Sequence, residues 1–362
     1  MARVPDEPAV PGPATSETEY EVIGGGMIDD RFPRHEGSVG EGHGSHPQPA
    51  FRVAFPAAWT DARRSFSSWK FWIACACALV LSWALAAAVV AFGEANGWFE
   101  TTIPSAIYML TAAWLAIASA VLGAIWGFRN PAISLLAAVI AAAFRAAALA
   151  VPAAVVLVVA GANVGGPLAL AGAAVVVVVL EVVLFGLIGA GSRGTVKRTV
   201  PAVVLVTLIV AFLCVGNVVA TIMLIPATMG TGQASVPVNV ERDDSGRVVA
   251  YECVGRLRPV EVAHTERVAW MAASNPALLF GSLAADIVPR EHDLAWVLSG
   301  LQMAADGPDR EVPCLGGESS DGLAPPVPVA LTGTAVQIGV AALLLVPGRL
   351  RSSRRMPAKP AA

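Results

Sequence analysis

Six long apolar runs set the pattern of this chain: Phe71–Phe92, Ser105–Trp126, 132–160, Pro167–Ala190, Val200–Leu224 and Val327–Val346. Each reaches the ~20 residues that a helix rising 1.5 Å per residue needs to cross about 30 Å of hydrocarbon. The pattern predicts an all-α membrane protein with six transmembrane helices, five within residues 71–225 and the sixth over 327–346. The third run is ambiguous. Arg145 and Pro152 interrupt it, and as one helix it would exceed roughly 40 Å. Either it is a single tilted helix, or residues 130–145 lie partly along the inner face.

The polar stretches divide the rest. Residues 1–56 are predicted to be a disordered cytoplasmic tail, because Pro, Gly, Glu and Ser dominate its first fifty positions and no apolar period appears there. His35, His43 and His46 in that tail have no cysteine companions and read as scattered polar residues rather than metal ligands. In 57–70, Trp59, Ala62, Phe66 and Trp69 recur at helical spacing beside Arg63, Arg64 and Lys70, which predicts an amphipathic helix on the membrane surface ahead of the first span. Between spans five and six, residues 226–326 form a polar segment predicted to be a small α+β domain. There Ser235–Glu241 and Arg247–Val254 flank the turn sequence Asp243-Asp244-Ser245-Gly246, and Ser274-Asn275-Pro276 starts a helix over Ala277–Ala285. Further helix signals run through Glu291–Ala305.

Basic residues orient the chain. Arg63, Arg64 and Lys70, then Arg129, then Arg193, Lys197 and Arg198, and finally Arg349, Arg351, Arg354, Arg355 and Lys359 fall on one side of the six spans. The loops 93–104 and 161–166 hold no Lys or Arg. This is a positive-inside distribution: both termini cytoplasmic, including the basic tail 347–362, the 226–326 domain extracytoplasmic, and the chain a multi-pass protein of the plasma membrane.

Composition narrows the function classes. Of 362 residues, 56% are hydrophobic and 14% charged, against roughly a quarter charged in ordinary soluble domains. Mean hydropathy is +0.65. A soluble enzyme, a disordered regulator and a nucleic-acid binder are excluded. No Gly-Lys pair occurs, so there is no P-loop, and neither a His-Glu-x-x-His nor a Gly-x-Ser-x-Gly motif is present. Gly189-Ala-Gly191-Ser-Arg-Gly194 follows a transmembrane run and reads as helix termination. No enzyme, cofactor or metal site is expected.

Two ionisable residues lie inside spans, Arg145 and Glu181. A charge at mid-membrane costs about 3 kcal/mol on insertion scales and usually finds a partner. The two fall at comparable depth on consecutive antiparallel runs, which predicts an Arg145–Glu181 ion pair; the alternative is that Arg145 snorkels to the inner headgroups. Cys75, Cys77 and Cys214 lie in apolar runs as small hydrophobes. Cys253 and Cys314, the two in the outer segment, are expected to form a disulfide. That segment carries fourteen acidic and seven basic residues.

The second half has a distinctive order. Gly194-Thr-Val-Lys-Arg-Thr199 leads into a span with Gly216; an outer cysteine follows, then His264-Thr-Glu266-Arg267-Val-Ala-Trp270, then Asn275-Pro276 and Ala284-Ala285-Asp286, and a last span running into Gly348-Arg-Leu-Arg-Ser-Ser-Arg-Arg355. Over roughly 190–355 this resembles actinobacterial multispanning membrane proteins labelled ABC transporter permeases. The resemblance implies the ABC-2 export plan: an interfacial helix before span one, six spans per subunit, elements between spans five and six that dip into the outer leaflet, a separate ABC ATPase and a homodimeric or heterodimeric assembly. The chain departs from that plan at Gly127-Phe-Arg-Asn-Pro131, a short inner loop that leaves only the apolar 132–145 segment for coupling to an ATPase. The alternative function is a non-transporting sensor or scaffold acting through the outer domain.

Overall fold

The computed structural model describes residues 50–97, 105–130, 134–196, 198–242, 248–289, 294–319 and 327–353. The polar tail 1–49 with its histidines, the turn Asp243-Asp244-Ser245-Gly246 and the basic end 354–362 lie outside the described residues.

The described chain is mostly helical, with one two-stranded sheet. A first helix α1 (Ala50–Phe66) precedes α2 (Trp69–Ala95), α3 (Ala106–Arg129), α4 (Leu135–Val164) and α5 (Leu168–Thr195). The fifth apolar run is composite: α6 (Thr199–Ala211), a π turn over Phe212–Gly216, α7 (Asn217–Leu224) and a 3-10 turn over Ile225–Thr228. Then come β1 (Met229–Arg242), β2 (Val248–Ala263), α8 (Glu266–Ala273), α9 (Pro276–Ala285), α10 (Ala295–Asp306), the single turn α11 (Pro308–Glu311) and α12 (Val329–Ser353). Six of these segments, 69–95, 106–129, 135–164, 168–195, 199–228 and 329–347, are long and apolar enough to cross a membrane.

α4 is one continuous helix despite Pro152. Ser134 starts it by accepting the Ala137 N–H at 3.1 Å, and Gly165 ends it in the left-handed region at φ 67°. A single long helix is therefore the arrangement adopted, not a break at residue 145.

The helix expected over 57–70 differs in both bounds: it begins by Ala50 and ends at Phe66, and Trp69 belongs to the first span. Its buried face keeps Ala62 and Phe66 of the expected stripe but not Trp59. Ala54 and Ala58 pack against Ala137 and Ala141 of α4, while Trp59 stays about half exposed with its ring edge on Phe144. Small residues let the two helices approach closely, so the alanine stripe takes the packed side and the aromatics its margin.

α5 is the hub, packed against α3, α4, α6, α9 and α12. Its seam with α3 is built from glycines: a side chain at Gly127 would collide with the Gly186 backbone, and one at Gly189 with the Ala124 carbonyl. Without a hydrophobic drive between helices in lipid, such backbone approach supplies the packing energy.

The strands are longer than the sequence pattern indicates. Antiparallel pairing runs from Met229–Ala263 to Arg242–Val248, with register shifts after Ala234, Val238 and Glu241. Gly230 and Gly232 on β1 and Pro259 on β2 weaken the strand signal in the sequence. Cys253 and Cys314 are joined in a disulfide with Cα atoms 5.4 Å apart. It holds the return segment on β1, where Ser235 N–H donates to Cys314 O at 3.1 Å and Gly316 N–H to Gln233 O at 2.7 Å.

Candidate functional site

The segment between the fifth and sixth spans does more than form an outer cap. α8 and α9 meet at an angle of 108° across Ser274 and Asn275. Their kink is buried against the π turn, α7, α5 and α12. The sequence explains the bend. Pro276 cannot donate a backbone hydrogen bond and disfavours helical geometry at Asn275, whose backbone is extended at φ −75°, ψ 130°. Asn275 Oδ1 then accepts the N–H groups of Ala277 and Leu278 at 2.9 and 3.3 Å, starting a new helix in a new direction.

The kink carries a polar cluster. Asn275 Nδ2 donates to Cys214 O at 2.6 Å, inside the π turn of span five. A widened turn of this kind recurs at functional positions in membrane and soluble helices alike. Asn217, one residue past that turn, donates from Nδ2 to Ser274 Oγ at 3.0 Å. From α12, Gln337 Nε2 donates to Ser274 O at 3.1 Å and to Glu181 Oε1 of α5 at 2.9 Å. Glu181, Asn217 and Gln337 are each 0% exposed. Cys214 is fourteen residues before Thr228, the ribbon-side end of its span. At 1.5 Å per residue the kink therefore reaches about 20 Å into the bundle. α12 closes over it at Gly333, where a side chain would collide with the Ala273 carbonyl.

The expected Arg145–Glu181 pair is not formed. Arg145 Nη2 donates to Asp61 of α1 at 2.6 Å and Nε to Ser65 at 3.0 Å. Glu181 meets Gln337 instead. The reason is that α1 folds along the first half of α4 and presents Asp61 to Arg145, while Glu181 faces the kink and α12. Asp61 escaped notice because its helix reads in sequence as a surface element rather than a packed one. Asn217 and Gln337 belong to no motif; their signal in the sequence is an amide inside an apolar run, and Ser274, named only as part of a helix start, also serves as a partner here.

The motif from His264 to Pro276 splits between two places. His264, Glu266 and Arg267 sit at the ribbon base: His264 Nδ1 lies 3.0 Å from Glu266 Oε1, and the His264 backbone N–H donates to Thr228 O at 3.0 Å. Arg267 Nε is 3.9 Å from Glu266 Oε1. Trp270 is half exposed, its indole N–H donating to Arg267 O at 2.8 Å. Asn275 and Pro276 lie at the buried kink. No group of three or more potential metal ligands occurs among the described residues.

No family model, curated protein or solved structure matches the chain.

Proposed function

We propose that this chain is the membrane subunit of an ABC-2-like export system. It lies in the plasma membrane with both termini cytoplasmic and the β ribbon outside, and relies on a separate ATPase subunit. The observation that carries this reading is the bent pair α8–α9: a helical hairpin inserted between the fifth and sixth spans, with its polar tip about 20 Å down the bundle. A helix that turns back inside a membrane must satisfy the backbone groups it frees: here Asn275 accepts the Ala277 N–H, Asn217 donates to Met271 O and Gln337 donates to Ser274 O. Investment of this kind supports a pathway element rather than a plain anchor. α1 docked on α4 supports the same plan, and it bears on coupling. The apolar start of α4 is covered by α1 through Ala54, Ala58 and Asp61, so α1 takes part in whatever surface an ATPase would engage.

Purification of the tagged chain from its native membrane in mild detergent tests this reading. The expected result is an ABC ATPase at near-stoichiometric amount, and a variant lacking residues 1–66 that retains less of it. Recovery of the chain with no ATPase would favour the second reading, a sensor or scaffold. One observation favours that alternative: the disulfide-bonded ribbon runs 14 residues in β1 and 16 in β2 and leaves Val236, Val240, Val254 and Leu257 exposed.

A further inference from the structure

Gln337 Nε2 uses its protons on Glu181 Oε1 and Ser274 O. A backbone carbonyl only accepts, so the Ser274 bond fixes which way the amide points. Two oxygens of this linked pair are then left over. Glu181 Oε2 and Gln337 Oε1 are buried and find no hydrogen-bond partner among the described residues. The groups placed beside Glu181 are the Gln337 amide from α12, itself bonded to the Ser274 carbonyl of the kink, and the Cys214 thiol from the π turn. None is a cation, and the buried Arg145 is engaged by Asp61. A carboxyl group so placed lacks a counter-charge, and its second oxygen lacks a donor, an arrangement whose cost in a low-dielectric interior is met by binding a positive ligand.

We propose that Glu181 and Gln337 form a monovalent-cation site, taking a proton or a sodium ion at their unpartnered oxygens, Glu181 Oε2 and Gln337 Oε1. One carboxyl group balances one positive charge, so a divalent ion would be left half compensated. Discontinuous helices, a π turn and an intramembrane carboxyl are the elements from which membrane proteins build such sites. The same amide that contributes Oε1 holds Ser274 O, so occupancy acts directly on the kink of α8–α9. The site exports nothing by itself and needs no ATPase, so it stands or falls apart from the reading above.

The test is thermal unfolding of the purified full chain, followed by tryptophan fluorescence, with no partner present. Sodium replaces choline at constant ionic strength in one series, and pH varies in sodium-free choline buffer in the other. Glu181→Gln keeps the shape and removes the charge; Gln337→Met removes the second oxygen and serves if the first variant fails to fold. Any pH response that arises elsewhere in the chain is common to all three proteins, so the readout is the difference from wild type. A Tm rise of about 2 °C or more with sodium, lost in the variants, identifies sodium; the same rise on lowering pH without sodium, lost in the variants, identifies a proton. Identical responses in wild type and variants, or a Gln337→Met protein that responds as wild type does, overturn the proposal.

Discussion

Asn275 donates to the Cys214 carbonyl at 2.6 Å, tying the kink of the α8–α9 hairpin to the π turn of the fifth span. The same side chain accepts the Ala277 N–H at 2.9 Å and so caps α9. One residue thus sets the direction of a helix and fixes its depth. Asn275→Ala removes the cap, worth about 1 kcal/mol, and leaves a buried carbonyl short of a donor, worth about 1–3 kcal/mol. Asn275→Ser restores a cap oxygen without the long reach to Cys214. The expected order of Tm in detergent is wild type, then Ser, then Ala; equal values for Ser and Ala would mean that the cap contributes nothing.

Arg145 and Asp61 give a second expected outcome. Asp61→Asn leaves a buried guanidinium without its counter-charge, and breaking a buried pair from one side costs about 3–5 kcal/mol in soluble proteins, less in membranes. The Arg145→Gln, Asp61→Asn double variant should recover part of the loss, giving a non-additive cycle in Tm. Arg145→Gln combined with Glu181→Gln should be additive, because those two side chains have different partners. Coupling in the second cycle and none in the first would contradict the structure.

What the sequence disclosed and what it withheld divide along physical lines. Apolar runs such as Phe71–Phe92 stand out because lipid demands a continuous stretch, and each coincides, to within a few residues at its ends, with a helix that forms, the fifth being composite. Asn275-Pro276 was legible because a cap and a proline act locally. Partner choice was not. Arg145 and Glu181 look alike in sequence, two charges at similar depth, and which neighbour each meets depends on how α1 and α12 pack. The bend between α8 and α9 was equally hidden: the run 277–285 reads as an ordinary apolar helix, and only the packing of Gly333 on Ala273 reveals how deeply its entry is buried.

Glycine substitutions separate close approach from open space. A side chain at Gly333 meets the Ala273 carbonyl, a backbone atom that cannot swing away, whereas Gly172 on α5 has nothing within 4 Å. Gly172→Ala should be neutral or stabilising by up to about 1 kcal/mol through helix propensity. Gly333→Ala should lower Tm and loosen α12 from α8. Faster hydrogen exchange across Glu266–Ala273 in the Gly333→Ala protein alone is the expected signature.

The Cys253–Cys314 disulfide spans 61 positions and encloses α8, α9 and α10. Closing a loop of that size is worth about 4 kcal/mol in the chain-entropy account. Reduction, or Cys253→Ser with Cys314→Ser, should lower Tm and release the Gln233–Gly316 pairing at the ribbon edge. Thiol blocking before non-reducing mass spectrometry of protein from the native membrane should leave both residues unalkylated. Alkylation of both would remove the covalent tie between the ribbon and the return segment.

Orientation can be tested with positions chosen for exposure. Asn96 at the end of α2 and Met303 on α10 are exposed at the ribbon-side end of the bundle; Asn130 after α3 and Arg198 before α6 are exposed at the other. Ser192 lies at that second end but is fully buried by neighbouring helices, so a label there would report packing instead of sidedness. Single cysteines at the four exposed positions, in a Cys77→Ala background that removes the exposed native thiol, should divide cleanly under a membrane-impermeant maleimide. Asn96→Cys and Met303→Cys are expected to react in intact cells, Asn130→Cys and Arg198→Cys only after lysis. The expectation rests on the placement of Arg63, Arg64, Lys70, Arg129 and Arg198 around the second end, the end that the positive-inside rule assigns to the cytoplasm. Reaction of Arg198→Cys from outside would invert the protein, put the ribbon in the cytoplasm, and remove the compartment in which the disulfide is stable.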